Sequence, residues 1–285
     1  MNTIRHILFP VDFSARCAAA QPVVESWAQR FNAKVTLLHT IHIPITSYGG
    51  ADGYPVIVDI PAIEASATAR LDRVKMDVPG LERVVSVGDP AFEIIQFAGK
   101  NSVDLIMMPT HGYGKFRGLL LGSTAAKVLH DAHCPVWTSA HIEDISVESR
   151  TTIHNILCAI ELGTETTELI RSANELAQAW QAKLRLVHAV PVDETWPERY
   201  LEGDFSAALI AKSKEEIASY QRDAGTDLEV TVKGGHASHI VREAALEGAA
   251  DLVVTGRGKL HETFGRLRTN TYAIIRDSPS PVLSA

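Results

Sequence analysis

A chain of 285 residues with 46% hydrophobic and 21% charged residues is typical of a soluble globular protein with two domains of ordinary size. Its net charge of −7 excludes the general electrostatic footprint of a DNA- or RNA-binding protein. No apolar run reaches membrane-spanning length, and the chain starts almost directly with a predicted strand, so neither a membrane span nor a signal peptide is expected. Three scattered cysteines form no CxxC pair, which favours buried thiols in a cytoplasmic protein over a metal site or a disulfide framework.

The predicted elements of the N-terminal half alternate between strands and helices. Continuous apolar runs indicate strands that are buried on both faces, as in a parallel sheet. Ser14 is expected to cap the first helix, Pro90 to open the third, and Pro22 to bend the first helix or delay its regular part. In chain order the predictions are a strand at Ile7–Val11, a helix from Ser14 to Phe31, a strand at Val35–Leu38, a loop at Ile41–Val58, a helix at Ala62–Val78, a strand at Val84–Val87, a helix at Pro90–Phe97, a strand at Leu105–Met108, a helix containing Thr124–Leu129 and a strand at Val136–Thr138.

The C-terminal half repeats this order. Its first apolar run, Ile156–Ile160, follows the run Ile7–Val11 at a distance of 149 positions, and the offset falls to 146 near the ends of the two copies. A repeat of this length is a whole domain. We therefore predict one domain over 1–140, a linker over 141–152 and a second domain over 153–285. The predicted strands of the second copy are Ile156–Ile160, Leu184–Val187, Glu229–Val232, Leu252–Thr255 and Val282–Ser284.

Alternating strands and helices, joined by right-handed crossovers, predict an α/β fold of two tandem doubly wound, Rossmann-like domains. Each domain should contain a parallel sheet of five strands. Ligands of such sheets bind beyond the carboxyl ends of the strands, where the strand order reverses. In the first copy this position corresponds to residues 10–12 and 109–112.

A glycine-rich loop follows the fourth predicted strand, from Pro109 to Thr124. It lacks the Gly-Lys-Ser/Thr triplet of a Walker A loop, and it differs from the dinucleotide fingerprint because Arg117 stands where that pattern requires glycine. Gly122-Ser123 is expected to open a helix, whose free amide groups and dipole favour an anion. The alternative is a capped helix start that holds no ligand.

The chain resembles the universal stress protein family over nearly all of both halves. The resemblance rests on Pro-Val-Asp-Phe-Ser at 10–14, Leu-Leu-His at 37–39, Val-Gly-Asp-Pro at 87–90 and Cys-Pro-Val at 134–136. It also rests on His-Gly at 111–112, which is followed after nine residues by Gly-Ser. Family members that bind ATP share Gly, two residues, Gly, nine residues, Gly and then Ser or Thr. Gly112, Gly122 and Ser123 match this pattern, whereas Pro109 replaces its first glycine, removes one N–H and stiffens the entry to the loop.

The resemblance implies the adenine nucleotide alpha hydrolase-like form of the doubly wound fold, with a site for ATP and an accompanying Mg²⁺ in the first domain. Asp12 and the backbone around Val11 and Thr40 would line the adenine and ribose end, and the glycine loop would hold the phosphates. The predicted nucleotide-binding residues are Pro10, Val11, Asp12, Thr40, Met108, Pro109, His111, Gly112, Gly122, Ser123 and Thr124.

The second copy has a degenerate version of this pattern. Gly258 matches Gly112, but Arg268 replaces Gly122 and Glu161 replaces Asp12. A side chain at Arg268 would intrude where the backbone must approach a phosphate, although arginine can itself bind an anion. We predict that tight nucleotide binding is lost here. The residues of this degenerate second site are Glu161, Gly256, Gly258, Arg268 and Thr269.

The expected function is binding rather than dedicated catalysis. His39 and His188 end buried strands and are interpreted as hydrogen-bonded core histidines, and the Gly-x-Ser-x-Gly nucleophile elbow is absent. The first hypothesis is a cytoplasmic stress-response protein that binds ATP or a related adenine nucleotide, with weak hydrolysis at most. The second is a scaffold or dimerisation protein with a vestigial pocket, which acts through protein partners or an apolar ligand; an α/β enzyme ranks last. The resemblance also implies pairing of the two domains through Val136–Thr138 and Val282–Ser284, and a homodimer.

Overall fold

A computed structural model describes residues 4–43, 59–110, 121–140, 151–191, 204–257 and 266–285, and only the backbone of 204–206 and 266–269. The chain separates into two compact units, one formed mainly by residues 3–136 and the other mainly by residues 137–285. Within the described ranges, no helix is both long enough and apolar enough to cross a membrane.

The N-terminal half is a doubly wound α/β domain with the strand order β3-β2-β1-β4-β5. Parallel ladders join β1 to β2 and β4, and β2 to β3, so the strand order reverses between β1 and β4. The carboxyl ends of these two strands therefore flank the crevice in which such folds bind ligands. The elements are β1 (His6–Pro10), α1 (Ala15–Phe31), β2 (Lys34–Ile41), α2 (Ile60–Leu71), β3 (Gly80–Val87), α3 (Pro90–Lys100), β4 (Leu105–Met107), α4 (Ser123–Asp131) and β5 (Val136–Thr138).

The C-terminal half repeats the same architecture, with the order β8-β7-β6-β9-β10 and parallel ladders between its strands. The two tandem doubly wound domains predicted from the sequence are therefore confirmed. The elements of this half are β6 (Asn155–Ala159), α5 (Thr166–Trp180), β7 (Lys183–Val190), α6 (Asp204–Ala224), β8 (Val230–Gly234), α7 (Ala237–Glu247), β9 (Leu252–Thr255), α8 (Arg266–Asp277) and β10 (Val282–Ser284).

The apolar strands form the core of each half. Phe9, Leu37 and Ile106 are fully buried in the first half, as are Leu252 and Val253 in the second. Burying one such side chain contributes about 1.5–3 kcal/mol. Burial on both faces explains why these strands are continuous apolar runs in the sequence.

Two helix predictions need correction. Of the two effects expected of Pro22, a bend or a delay, the delay does not occur, because α1 is continuous from Ala15. Its first turn is capped by the Ser14 hydroxyl, which accepts a hydrogen bond from the Cys17 amide at 3.1 Å. The second helix was predicted to continue to Val78 but ends at Leu71. Arg83 on β3 donates to the carbonyl oxygen of Leu71 from Nε at 3.2 Å, and so satisfies one of the last helix carbonyls from a neighbouring strand.

Strand ends also differ from the predictions. β1 ends at Pro10, so Val11 lies in the following turn, whereas β2 continues to Ile41 and therefore contains Thr40. Most of the predicted loop at Ile41–Val58 falls outside the described residues, which resume at Asp59.

An aspartate anchors the first strand of each half in the same way. One Asp104 carboxylate oxygen accepts hydrogen bonds from the backbone amides of Arg5 at 2.8 Å and His6 at 3.0 Å. Asp251 does the same for His154 at 2.8 Å and Asn155 at 2.9 Å. Although the offset between these aspartates differs slightly from that of the strands, the tertiary contact is the same. The two halves therefore share this hydrogen-bonding arrangement as well as their hydrophobic pattern.

A buried histidine lies at the amino-terminal end of the first sheet, away from its carboxyl edge. His6 Nε2 lies 2.8 Å from the Thr36 hydroxyl, and Nδ1 lies 3.1 Å from the Asn101 carbonyl oxygen. The Thr36 hydroxyl also lies 3.1 Å from a carboxylate oxygen of Glu82, so its single hydrogen has two possible acceptors. The second half has Asn155 in place of His6, so the histidine of this network belongs to the first half alone.

The environment of His6 favours the neutral ring. Burial lowers the pKa of His6 below its ordinary value of 6.5, and nearby Lys34 acts in the same direction. The Asn101 carbonyl and the carboxylates of Glu82 and Asp104 oppose this shift but do not outweigh it. Protonation therefore favours the unfolded chain, in which the ring is hydrated.

We expect the N-terminal half to lose stability as the pH falls below 6.5, the ordinary pKa of histidine. Because the folded-state pKa is lowered, the contribution of neutral His6 is complete above that pH and is lost as the pH falls through the window beneath it. His6→Asn should remove this dependence and cost about 1–3 kcal/mol at neutral pH through the altered buried hydrogen bonds. Amide hydrogen exchange of peptides from β1 and β2 measures the effect, with peptides from β6 and β7 as internal controls. An unchanged pH dependence in the variant would contradict the assignment.

Candidate functional site

The turn after β1 is held by its own backbone and by a histidine from the next strand. The Val11 amide donates to the Leu38 carbonyl oxygen at 2.8 Å, and the Val11 carbonyl oxygen accepts from His39 Nδ1 at 2.7 Å. The Asp12 carboxylate accepts from the Ser14 amide at 2.9 Å. The hydrogen bond expected of His39 is present, but this histidine is half-buried and does not belong to the core. Its bond to a carbonyl oxygen requires the tautomer with a proton on Nδ1.

The ends of β2 and β4 complete this side of the crevice. The hydroxyl of Thr40 lies 3.0 Å from that of Ser86 on β3. Met108, Pro109 and Thr110 directly follow β4 and are buried. Because proline has no amide hydrogen, Pro109 offers a ligand only its carbonyl oxygen.

The glycine-rich loop is closed at its base. The Gly122 amide donates to the Thr110 carbonyl oxygen at 3.0 Å, so the two described ends of the loop lie side by side. His111 and Gly112, two of the predicted ligands, fall within residues 111–120, outside the described residues. The anchors of the predicted phosphate loop are thus defined, and its middle part remains a prediction.

Gly122 is the N-cap of α4 and has an ordinary backbone conformation. Its φ of −59° and ψ of 143° are accessible to every amino acid, so the turn does not require glycine for its conformation. As a glycine, this N-cap has no side chain with which to cap the helix end. α4 starts at Ser123 as predicted, and the glycine places no Cβ beside the first amides of this helix.

A cation lies one helical turn beyond Ser123. Lys127 shares a helix face with Ser123, and its ammonium group lies 3.2 Å from the carboxylate of Asp89. Asp89 caps α3 and accepts from the Phe92 amide at 3.0 Å, which lowers the pKa of its carboxyl group; Lys127 adds to the effect. This exposed ion pair contributes little stability.

The framework of this turn recurs in the second half. The Ile160 amide donates to the Val187 carbonyl oxygen at 2.9 Å, and the Ile160 carbonyl oxygen accepts from His188 Nδ1 at 3.0 Å. The acidic group, however, differs in its contacts. Glu161 is exposed as a whole residue, but the surrounding protein partly desolvates its carboxyl group and so raises the pKa of that group. A hydrogen bond with the Asn270 side chain opposes this shift.

The helix tip of the second half also differs. α8 starts at Arg266, so Arg268 and Thr269 lie within its first turn, whereas Gly122 and Ser123 lie at the very tip of α4. Gly256 follows β9, and its carbonyl oxygen accepts from the Thr271 hydroxyl at 3.4 Å. Gly258 and the side chains of Arg268 and Thr269 lie beyond what the structure describes, so the proposed intrusion by Arg268 stays a prediction.

A stack of side chains behind Asp12 was not predicted from the sequence. Phe13 has a left-handed backbone with φ of 60°, and its ring centroid lies 4.6 Å from that of His39. The guanidinium carbon of Arg70, on α2, lies 4.1 Å from the centroid of the Phe13 ring. Phe13 entered the sequence analysis only as a letter of the family motif, and nothing in the sequence connects it with a residue 57 positions away.

Comparisons with known proteins agree with this architecture. The model of the universal stress protein family matches residues 3–139 and 152–284. Universal stress protein A homolog 1 of Coxiella burnetii is 32% identical over 137 residues, which are 46% of this chain and 93% of that protein. A universal stress protein of Thermus aquaticus is 31% identical over 139 residues, 46% of this chain and 94% of that protein. The fold of a universal stress protein from Archaeoglobus fulgidus matches with a TM-score of 0.69 at 21% identity, covering 99% of this chain and 96% of that one. The chain belongs to the universal stress protein family and contains two copies of its domain in tandem.

Proposed function

We propose that the N-terminal domain binds ATP or a related adenine nucleotide at the carboxyl ends of β1, β2 and β4, and that the protein acts as a stress-response regulator. The observation that carries the proposal is Gly122, a glycine whose backbone conformation does not need glycine, at the N-cap of α4, where it has no capping side chain. Helix tips with free amides and no intervening Cβ favour phosphate.

The base and ribose end is supported by Asp12 and Thr40. The turn that contains Asp12 is fixed by the bonds of Val11 to β2, so its carboxylate has a defined position beside the crevice. One carboxylate oxygen accepts from Ser14, which leaves the other as an acceptor for ribose or adenine donors. Gly122, Ser123 and Thr124 would hold the phosphates, with Mg²⁺ bridging them.

We propose that the C-terminal domain has lost this activity. The carboxyl group that replaces Asp12 is hydrogen-bonded to Asn270, next to the residues that replace Gly122 and Ser123. The helix tip has also moved relative to the motif, because α8 starts before Arg268. One nucleotide per chain is therefore expected.

The alternative function is a scaffold whose nucleotide pocket is vestigial. It is favoured by Pro109, which replaces the first motif glycine and is buried at the loop entry. In that case the protein would act through protein partners or an apolar ligand, without a nucleotide.

The proposal extends to assembly and location. The three-residue strands β5 and β10 close the strand order of their halves, and we propose that the domains pair through them, as the family resemblance implies. Formation of a homodimer, a cytoplasmic location and domain limits of 1–140 and 153–285 belong to the same proposal.

The test is isothermal titration calorimetry on protein from which co-purified ligand has been stripped. ATP, ADP, AMP and cyclic AMP are titrated in parallel, with GTP as the control for the base. We expect saturable binding of adenine nucleotides at one site per chain. No heat with any of them would favour the scaffold, and two equivalent sites would contradict the loss in the second domain. Phosphate release measured on the same samples separates binding from hydrolysis.

A further inference from the structure

The backbone after Asp12 is strained in the first half and not in the second. Phe13 adopts φ of 60°, a region that residues other than glycine, asparagine and aspartate rarely occupy. Leu162 occupies the same place after Glu161, and it is not among the non-glycine residues with positive φ in the described part of the chain. Strain of this kind persists only where surrounding contacts impose it, and it concentrates at functional sites.

The contacts that impose it form a short column of three side chains. The Phe13 ring packs against His39, which in turn donates to the Val11 carbonyl oxygen at 2.7 Å. Arg70 lies over the Phe13 ring with its guanidinium carbon 4.1 Å from the centroid. The column therefore runs from α2 to the peptide groups on both sides of Asp12. A leucine at position 162 has no aromatic face to offer a cation, so the second half cannot repeat this arrangement.

We propose that Arg70 and Phe13 are positioning residues of the nucleotide site, an inference that rests on the proposed function. Arg70 holds the Phe13 ring against His39, and this keeps the Asp12–Phe13 peptide in the left-handed turn that presents the Asp12 carboxylate to the crevice. Without the column, Phe13 relaxes toward negative φ and the peptide rotates. Because Arg70 lies in the last turn of α2, a displacement of that helix changes the position of the Asp12 carboxylate through the same contacts.

The first experiment compares ATP affinities by calorimetry for the full-length protein and for Arg70→Gln, Arg70→Lys and Arg73→Gln. Arg70→Gln should weaken binding about two- to fivefold, the effect of one exposed cation–π contact. Arg70→Lys keeps the cation and should recover part of this loss. Arg73, exposed three residues further on, serves as the matched control, because its replacement removes the same charge without touching Phe13 and should leave the affinity unchanged.

The second experiment is a double-mutant cycle with Phe13→Leu, the residue of the second half. If Arg70 acts through the ring, Arg70→Gln adds no further loss of affinity once Phe13 is leucine. Additive losses, or equal affinities of the wild type and Arg70→Gln, would overturn the inference while nucleotide binding stands. Absence of ATP binding by the wild type would overturn the proposed function and this inference with it. Thermal unfolding of each variant shows whether a loss of affinity comes from a loss of fold.

Discussion

Replacing Gly122 with arginine should abolish ATP binding and leave the protein folded. The substitution copies the residue of the second half, Arg268, into the first. With φ of −59° and ψ of 143°, the position accepts any side chain without backbone strain. The new side chain occupies the space through which a phosphate reaches the amides of Ser123 and Thr124. Losing one or two charge-assisted hydrogen bonds lowers the affinity by about a hundredfold or more.

Calorimetry measures the binding, and urea unfolding measures the fold. At an N-cap, exchanging glycine for a residue with poor capping ability costs at most about 1 kcal/mol. Gly99→Arg is the matched control: Gly99 is exposed on α3, with no atom within 4 Å of an added Cβ, and it lies outside the proposed site. Retained or tighter ATP binding by Gly122→Arg would show that the position is not a point of close approach, and would favour Arg268 as an anion ligand in the second half.

Asp12→Ala has the second-largest expected effect, a loss of ATP affinity of about ten- to a hundredfold, which is the range for one hydrogen bond to a charged group. The carboxylate also accepts from the Ser14 amide at 2.9 Å, so alanine removes a turn contact together with the ligand contact. Asp12→Asn separates the two roles, because the amide oxygen can still accept from Ser14 while the negative charge is lost. We expect Asp12→Asn to unfold like the wild type and to bind ATP with intermediate affinity.

Glu161→Ala is the matched control for Asp12. It removes the corresponding carboxyl group in the second half, which already forms a hydrogen bond with the Asn270 side chain. ATP affinity and stoichiometry should remain those of the wild type. A loss of binding in this variant would place a nucleotide in the second domain, and unchanged binding in Asp12→Ala would remove Asp12 from the site.

Much of the fold was predictable because strands that are buried on both faces of a sheet are continuous apolar runs in the sequence. The strands at Val136–Thr138, Leu252–Thr255 and Val282–Ser284 have the predicted limits, and the repeat predicted the second domain. The errors lie at element ends. The prediction that α2 continues past Leu71 was wrong: the Leu71 carbonyl oxygen accepts from the Val74 amide and from Arg83 on another strand. Helical periodicity does not report a carbonyl oxygen satisfied from outside the helix.

The candidate site was predictable only in part. Asp12, Thr40, Gly122 and Ser123 were assigned through the family resemblance and its motif. The structure places Asp12 after β1, Thr40 within β2, and Gly122 and Ser123 at the tip of α4. Arg70 had no signal in the sequence, because its contact with Phe13 joins residues far apart along the chain.

The sequence by itself determined the tandem repeat, the parallel sheets and the unequal motifs of the two halves, because these follow from local composition and spacing. Only the tertiary structure decided that Gly122 has a conformation open to any residue, that Phe13 is strained, and that Arg70 lies over its ring. These properties depend on backbone angles and on contacts between distant segments, which a hydrophobic pattern does not encode.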